Sequence, residues 1–196
     1  MTPARTRLQS MLLPLKGMRL THVMTWTSST HPPRTSIYQN RKEFEIADWV
    51  DKNRPNTRSY VTGTLRFWWN AWHNGQQIGG GSEQGVHNIG ITPFFWRSVT
   101  SPDPRLDIVW MQAWGVDQVM VNDKTSALPI VDFEHPMKYQ GVLKTIWEDG
   151  KGNWIYEVPR KHGGLARVVD ASRYAAIRAA ETGDDAPAVE AYVEVL

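Results

Sequence analysis

The chain has 196 residues, long enough for one domain with extended ends and for a sizeable core. With 41% hydrophobic and 21% charged residues, 12 prolines and 15 glycines, it is neither a wholly disordered nor a collagen-like sequence. Its net charge of +2 is unevenly spread. Residues 1–42 carry seven basic side chains and no acidic one, whereas 171–196 carry two basic and five acidic. No window approaches the ~18–20 continuous apolar residues of a membrane helix. The longest N-terminal apolar run, Met11 to Leu15, is interrupted by Pro14, and no small-residue cleavage site follows it. The absence of cysteine excludes disulfides, thiolate metal sites and a cysteine nucleophile.

Residues 1–42 read as a basic, Ser/Thr/Pro-rich lead or linker, in which Pro32 and Pro33 remove two backbone donors. An α/β domain is expected over 43–170. Its first element is a short amphipathic helix from Glu43 to Asn53, with acidic residues at its start and Lys52 near its end, as the helix dipole favours. Pro55 stops it, and Arg58 to Thr62 reads as a strand bounded by Gly63. In RFWWNAWHN, Trp68 and Trp72 are spaced to share a helical face, and Gly75 marks a turn. The following GGGSEQG, residues 79–85, has four glycines in seven positions and reads as a loop that allows close approach to the backbone.

Ser101 to Pro104 supply cap chemistry for a helix whose apolar residues Leu106, Val109, Trp110 and Ala113 follow the 3.6 period up to Gly115. Val116 to Val121 then reads as a buried strand, completing an α/β unit. Tyr139 to Glu148 has helical spacing at Tyr139, Leu143, Ile146 and Trp147. The turn at 149–152 leads into an alternating strand from Asn153 to Val158, and Leu165 to Val169 is expected to be a further strand at a sheet edge. Residues 171–196 form a C-terminal unit: a helix over 171–180 rich in alanine, then a short final element for which a strand is the first reading. The expected fold is therefore α/β, a small and mostly parallel sheet built from the strands at Tyr60, Val119 and Ile155, with helices packed on it.

Several chemistries are excluded by spacing. The six histidines show no HxH or HExxH pattern, so no metal or other cofactor is expected. GGGSEQG matches neither GxxxxGK[ST] nor GxGxxG, which argues against nucleotide phosphate binding, and Ser82 is not in a GxSxG elbow. Ten tryptophans are the compositional excess. Trp110, Trp114, Trp147 and Trp154 lie in periodic elements and are expected in the core. Trp68, Trp69 and Trp72 stand beside His73, Glu83, Gln84, His87 and Asn88, a mixture of flat apolar faces and hydrogen-bonding groups that suits the apolar face and polar rim of a sugar. These eight residues are the candidate ligand-binding set. Two alternatives stay open: a glycoside hydrolase pairing Glu83 with Asp132 or Glu134, and a purely structural interaction domain.

The order NTRSYVTG, an aromatic stretch, GGGSEQGVHN, GVDQVMVND, DFEHPMKYQGVLKTIWEDGKGNWIYEVPR and LARVVD, spanning about 45–170, resembles the soluble extracytoplasmic part of large bacterial multi-pass membrane proteins. These are the 6-pyruvoyl-tetrahydropterin-synthase-related membrane proteins, akin to polytopic glycosyltransferase-like and YfhO-like proteins. The resemblance implies a detached or truncated domain positioned outside the cytoplasm, on the outer face of the bacterial inner membrane when attached to a parent. Its expected partners are a glycan or lipid-linked sugar and the membrane-embedded part of that parent, and not nucleic acid. It transfers no catalytic residue, so activity of this chain alone is not expected. The three-histidine zinc site of a pterin synthase has no counterpart in the spacing here.

Overall fold

A computed structural model describes residues 40–78, 91–128, 132–164, 166 and 168–196. The described elements are α1 (Lys42–Asn53), β1 (Arg58–Tyr60), α2 (Gly63–Trp72), β2 (Gln76–Ile78), α3 (Ile91–Thr100), α4 (Pro104–Ala113), β3 (Gln118–Asn122), a 3-10 turn (Pro136–Tyr139), β4 (Lys144–Glu148), β5 (Asn153–Glu157), α5 (Ala171–Ala175) and α6 (Ala186–Val195). The five strands form one sheet in the order β2-β1-β3-β5-β4. β1 runs parallel to both β2 and β3, with Tyr60 opposite Ile78 on one side and Val119 on the other. The expected α/β fold with a parallel sheet core is the one observed.

Side chains that alternate along the central strands separate the core into two layers. Tyr60, Val119, Val121 and Tyr156 face one cluster with Phe94 of α3, Trp110 and Met111 of α4, and Val189 of α6. Val61, Met120 and Ile155 face the other, with Ile46, Ala47 and Val50 of α1 and Leu65 and Trp69 of α2. Helices thus cover both faces. The connection from β1 to β2 moves outward through α2, and the connection from β2 to β3 returns across β1 through α3 and α4. Right-handed crossovers in opposite directions require helices on opposite faces. Both clusters contain aromatic and long aliphatic side chains, each contributing roughly 1.5–3 kcal/mol on full burial.

Four sequence expectations are corrected. β5 is antiparallel to β3, pairing Met120 with Ile155, because a hairpin and not a crossover delivers it. The helix expected over Tyr139 to Glu148 is a 3-10 turn followed by edge strand β4. The helical spacing there is produced by a register shift between Thr145 and Trp147, a bulge that sends the consecutive Ile146 and Trp147 toward the same cluster. No strand forms among the described residues near Val168, which is 96% exposed and so has nothing to pack against. The C-terminal unit inverts its expectation: α5 stops after five residues with none buried, while the final element is a ten-residue helix that buries Ala188, Val189 and Val193. A proline within its first two positions pre-sets its backbone.

Helix α3 was not legible as a helix from its own first residues. It has Pro93 in its first turn, and burial of Phe94, Ser98 and Val99 fixes it in place.

A candidate polar cleft at the amino edge of the sheet

The parallel strands give the sheet two chemically different edges. At the carboxyl edge, β1 turns at Gly63 (φ +60°) directly into α2. Only glycine takes that backbone without strain. The Gly63 N–H donates to the Asp132 carboxylate. Helix α2 then runs back along the sheet and ends at Trp72, and β2 starts again at Gln76. Trp72 and His73 therefore lie at the amino edge, whereas Ile78, from which the chain enters the glycine-rich stretch, lies at the carboxyl edge. Glu83, Gln84, His87 and Asn88 lie outside the described residues.

The three indoles of the expected sugar platform have different environments. Trp69 is 2% exposed and belongs to the α1–α2 core cluster, and Trp72 is 7% exposed. Their ring faces are occupied by protein and cannot serve as stacking surfaces. Trp68 is half-buried, stacked on Trp72 at 5.5 Å between ring centroids, with the Arg41 guanidinium 4.4 Å from its ring. Phe44 of α1 meets Trp72 edge-on at 5.3 Å, so α1 and α2 are locked by an aromatic column. Helix periodicity explains the partition: Leu65, Trp69 and Trp72 fall on the inward stripe of α2.

Trp69 and His73 nevertheless meet at a cleft of about 210 Å³, lined also by Asp51, Arg54, Asn74 and Gln76. Its floor is set by Gly75: a Cβ there would stand 2.5 Å from the Trp69 indole nitrogen, so only glycine allows the chain to pass so close to the ring. The Trp69 Nε1–H and the His73 Nε2 are both buried without a hydrogen-bond partner, as is the Arg54 Nε. The other imidazole nitrogen, Nδ1, lies 3.2 Å from Asp51, and Nε2 is 3.6 Å from Asp48, beyond hydrogen-bonding distance. Arg54 is anchored by its Nη1, which donates to Glu157 at 2.8 Å. Burial opposes ionisation of Glu157 only partly, and the Arg54 hydrogen bond, the largest influence, lowers the pKa of its carboxyl.

Buried polar atoms left without partners cost roughly 1–3 kcal/mol each, so a small polar molecule with donors and acceptors is the natural complement of this cleft. A carboxylate, a guanidinium, two amides, an imidazole and an indole N–H offer both signs of hydrogen bond within one small space. Below the ~300–1,000 Å³ typical of drug-sized ligands, the volume accommodates one small ring. Asp51, Arg54 and Gln76 escaped sequence reasoning because they are scattered over α1, the α1–β1 turn and the start of β2, whereas Asn74 stands in the sequence beside the tryptophans and His73. The available signal was Gly75, placed between an aromatic helix and a strand.

Of the carboxylates considered for hydrolysis, Asp132 is engaged with the Gly63 N–H, Glu134 is exposed and Glu83 lies outside the described residues. Among the described residues, no group of three His, Asp or Glu side chains is arranged to hold a metal ion, and no helix is long and apolar enough to cross a membrane. Trp110 is buried and donates from Nε1 to the Gly183 carbonyl at 2.8 Å, while Trp114 and Trp154 pack partly buried against the same core and Trp147 against the other.

The fold defines a three-layer α/β domain with a polar cleft at one sheet edge. No known family model, curated protein or solved structure matches the chain.

Proposed function

We propose that this chain is a saccharide-recognising domain that belongs to a polytopic bacterial membrane protein of glycosyltransferase-like character and works at the extracytoplasmic face of the inner membrane. The membrane-embedded part of that parent is its proposed structural partner, and a glycan or lipid-linked sugar its ligand. The ordered sequence pieces from NTRSYVTG to LARVVD support the company it keeps. One structural observation carries the ligand class: the Trp69 indole N–H and the His73 Nε2 are buried and unpartnered on a cleft ringed by Asp51, Asn74 and Gln76. Sugar hydroxyls both donate and accept, and an array of fixed donors and acceptors matches them where a purely apolar pocket would not. In this reading the indoles frame the site and present one N–H edge, and recognition is by hydrogen bonding more than by ring stacking.

The test is calorimetric titration of the full chain with glucose, galactose and mannose. Binding of at least one neutral sugar is expected, weakened about tenfold by His73→Ala or Asp51→Asn, in line with loss of one hydrogen bond to a charged or buried partner. Absence of binding by all three, or binding indifferent to both substitutions in folded protein, overturns the reading.

A further inference from the structure

A second feature lies at the opposite, carboxyl edge, on the first turns of α2. Arg66 is half-buried, and its guanidinium carbon lies 4.9 Å from the ring centroid of Phe67 and 5.3 Å from that of Phe95 on α3. Phe95 in turn meets Trp96 edge-on at 5.7 Å. Phe67 and Trp96 are 53% and 54% exposed, among the few large apolar side chains that the described surface leaves open. Arg66 thus bridges the two helical layers with aromatic rings and, among the described residues, no paired carboxylate.

Among the other half-buried arginines, Arg58 donates to the Trp114 carbonyl at 2.7 Å and three more are paired with carboxylates. Arg54 pairs with Glu157, Arg97 with Asp107 and Asp184, and Arg160 with Asp117. Arg66 has no carboxylate within ion-pairing distance among the described residues, and its Nε is buried without a hydrogen-bond partner. A guanidinium held by aromatic faces keeps its planar fork of donors fixed, which suits bidentate recognition of a phosphate. The adjoining exposed phenyl and indole faces suit an apolar ring surface. Arg66 also lies in the first turn of the helix that leaves the carboxyl end of β1, and it is beyond the carboxyl ends of the strands that open α/β sheets take ligands. Close by, the hydroxyl of Thr62, a residue 1% exposed, has no partner. The Asp132 carboxylate already accepts from Gly63 N–H, so an incoming anion is directed to Arg66 and away from that amide.

We infer that Arg66, Phe67, Phe95 and Trp96 form a binding site for a phosphorylated saccharide, with Arg66 on the phosphate and the exposed rings against the sugar. The inference rests on the saccharide reading above for the sugar, but the phosphate site stands on Arg66 itself. It is separate from the amino-edge cleft, at the other end of α2. A soluble sugar phosphate and the phosphosugar headgroup of an isoprenoid lipid present the same chemistry.

Titration of the full chain with glucose 1-phosphate, glucose, inorganic phosphate and a short isoprenyl phosphoglucose, followed by tryptophan emission and calorimetry, tests it. Glucose 1-phosphate is expected to bind at least tenfold more tightly than glucose or inorganic phosphate, with a change in emission that Trp96→Phe removes. Arg66→Gln is expected to weaken it at least tenfold with circular dichroism unchanged, Arg66→Lys to weaken it less, and His73→Ala to leave it unaltered. Equal or tighter binding of the isoprenyl compound identifies the lipid-linked source, and weaker binding the soluble one. Glucose 1-phosphate binding that ignores Arg66→Gln, or that is lost in His73→Ala, overturns this inference and leaves the cleft reading intact. Arg66-dependent binding of glucose 1-phosphate without any neutral sugar binding has the reverse meaning. Adhesion to phosphatidylglycerol vesicles with no response to glucose 1-phosphate also overturns it, in favour of a bilayer contact.

Discussion

Asp103 shows how one side chain sets a helix start. As the N-cap of α4 it accepts from the Arg105 N–H at 3.0 Å, and the Arg105 guanidinium returns to the same carboxylate. The Arg105 side chain, then its backbone N–H, holds the Asp103 carboxyl at about 2, below its ordinary 3.8. A folded pKa below the unfolded one means that the stabilisation is complete above the unfolded value and disappears as pH falls through the folded one. Asp103→Ala is therefore expected to cost about 1 kcal/mol in urea unfolding at pH 7. The gap between the two proteins should narrow as the pH is lowered from about 4 to 2. An unchanged gap at pH 2 would assign the effect to helix propensity alone. The cap was readable from Ser101 to Pro104 because capping is local in sequence. The ligand-binding set was less readable: four of its eight residues are described, and of those Trp69 and His73 reach the cleft while Trp68 and Trp72 join the aromatic column with Arg41 and Phe44. Adjacent tryptophans look equivalent in a string of letters, and the 100° turn between neighbours on a helix separates them.

At the scale of elements, long periodic segments were legible and short edge pieces were not. Glu43 to Asn53 and Leu106 to Ala113 have enough turns for an apolar stripe to declare itself. β2 has three residues and β4 a bulge, and their pairing comes from neighbours distant in sequence. The contact between α3, α4 and the 3-10 turn was equally invisible, because it is made by charges. Asp107, fully buried on α4, accepts from Arg97 of α3, from Lys138 at 2.6 Å and from the Tyr139 hydroxyl at 3.1 Å. Lys138 also donates to the Ser98 and Ser101 carbonyls. Burial pushes the Lys138 pKa down, and Asp107 opposes that shift without cancelling it. Removing the carboxylate that Arg97 and Lys138 share leaves the Lys138 ammonium, 1% exposed, without its ion-pair partner, and Arg97, 9% exposed, with the exposed Asp184 in place of a buried anion. Asp107→Asn is expected to destabilise the protein by about 3–5 kcal/mol, and by far more than Arg105→Ala, which removes only an exposed and solvent-screened pair with Asp103. Comparable losses in the two variants, measured by denaturant unfolding, would show that the network adds nothing beyond an exposed ion pair.

The whole molecule is organised around β3. All five of its residues are buried, and it is paired on both sides, to β1 in parallel and to β5 antiparallel. Its side chains feed both core clusters, Val119 and Val121 into one and Met120 into the other. Opening its amides therefore requires the two helical layers to separate together, which is global unfolding. α5 is the opposite case, five residues with no buried side chain, held mainly by the Asp170 cap and a Tyr174–Tyr192 ring contact at 6.2 Å. Native-state hydrogen exchange should grade accordingly: amides of Val119, Met120, Val121, Ile155 and Tyr156 exchange slowest and with a common free energy, and those of α5 exchange fastest by local opening. Asp107→Asn should lower the common value by the same amount that it lowers the unfolding free energy, while leaving α5 exchange unchanged, because a local opening does not sense global stability. If β3 amides instead exchanged at different free energies on the Val119 and Met120 sides, the two clusters would be separate cooperative units. The cleft at the amino edge and the Arg66 site at the carboxyl edge, joined by the single helix α2, would then have independent supports, and ligand at one would leave the exchange of the other layer untouched.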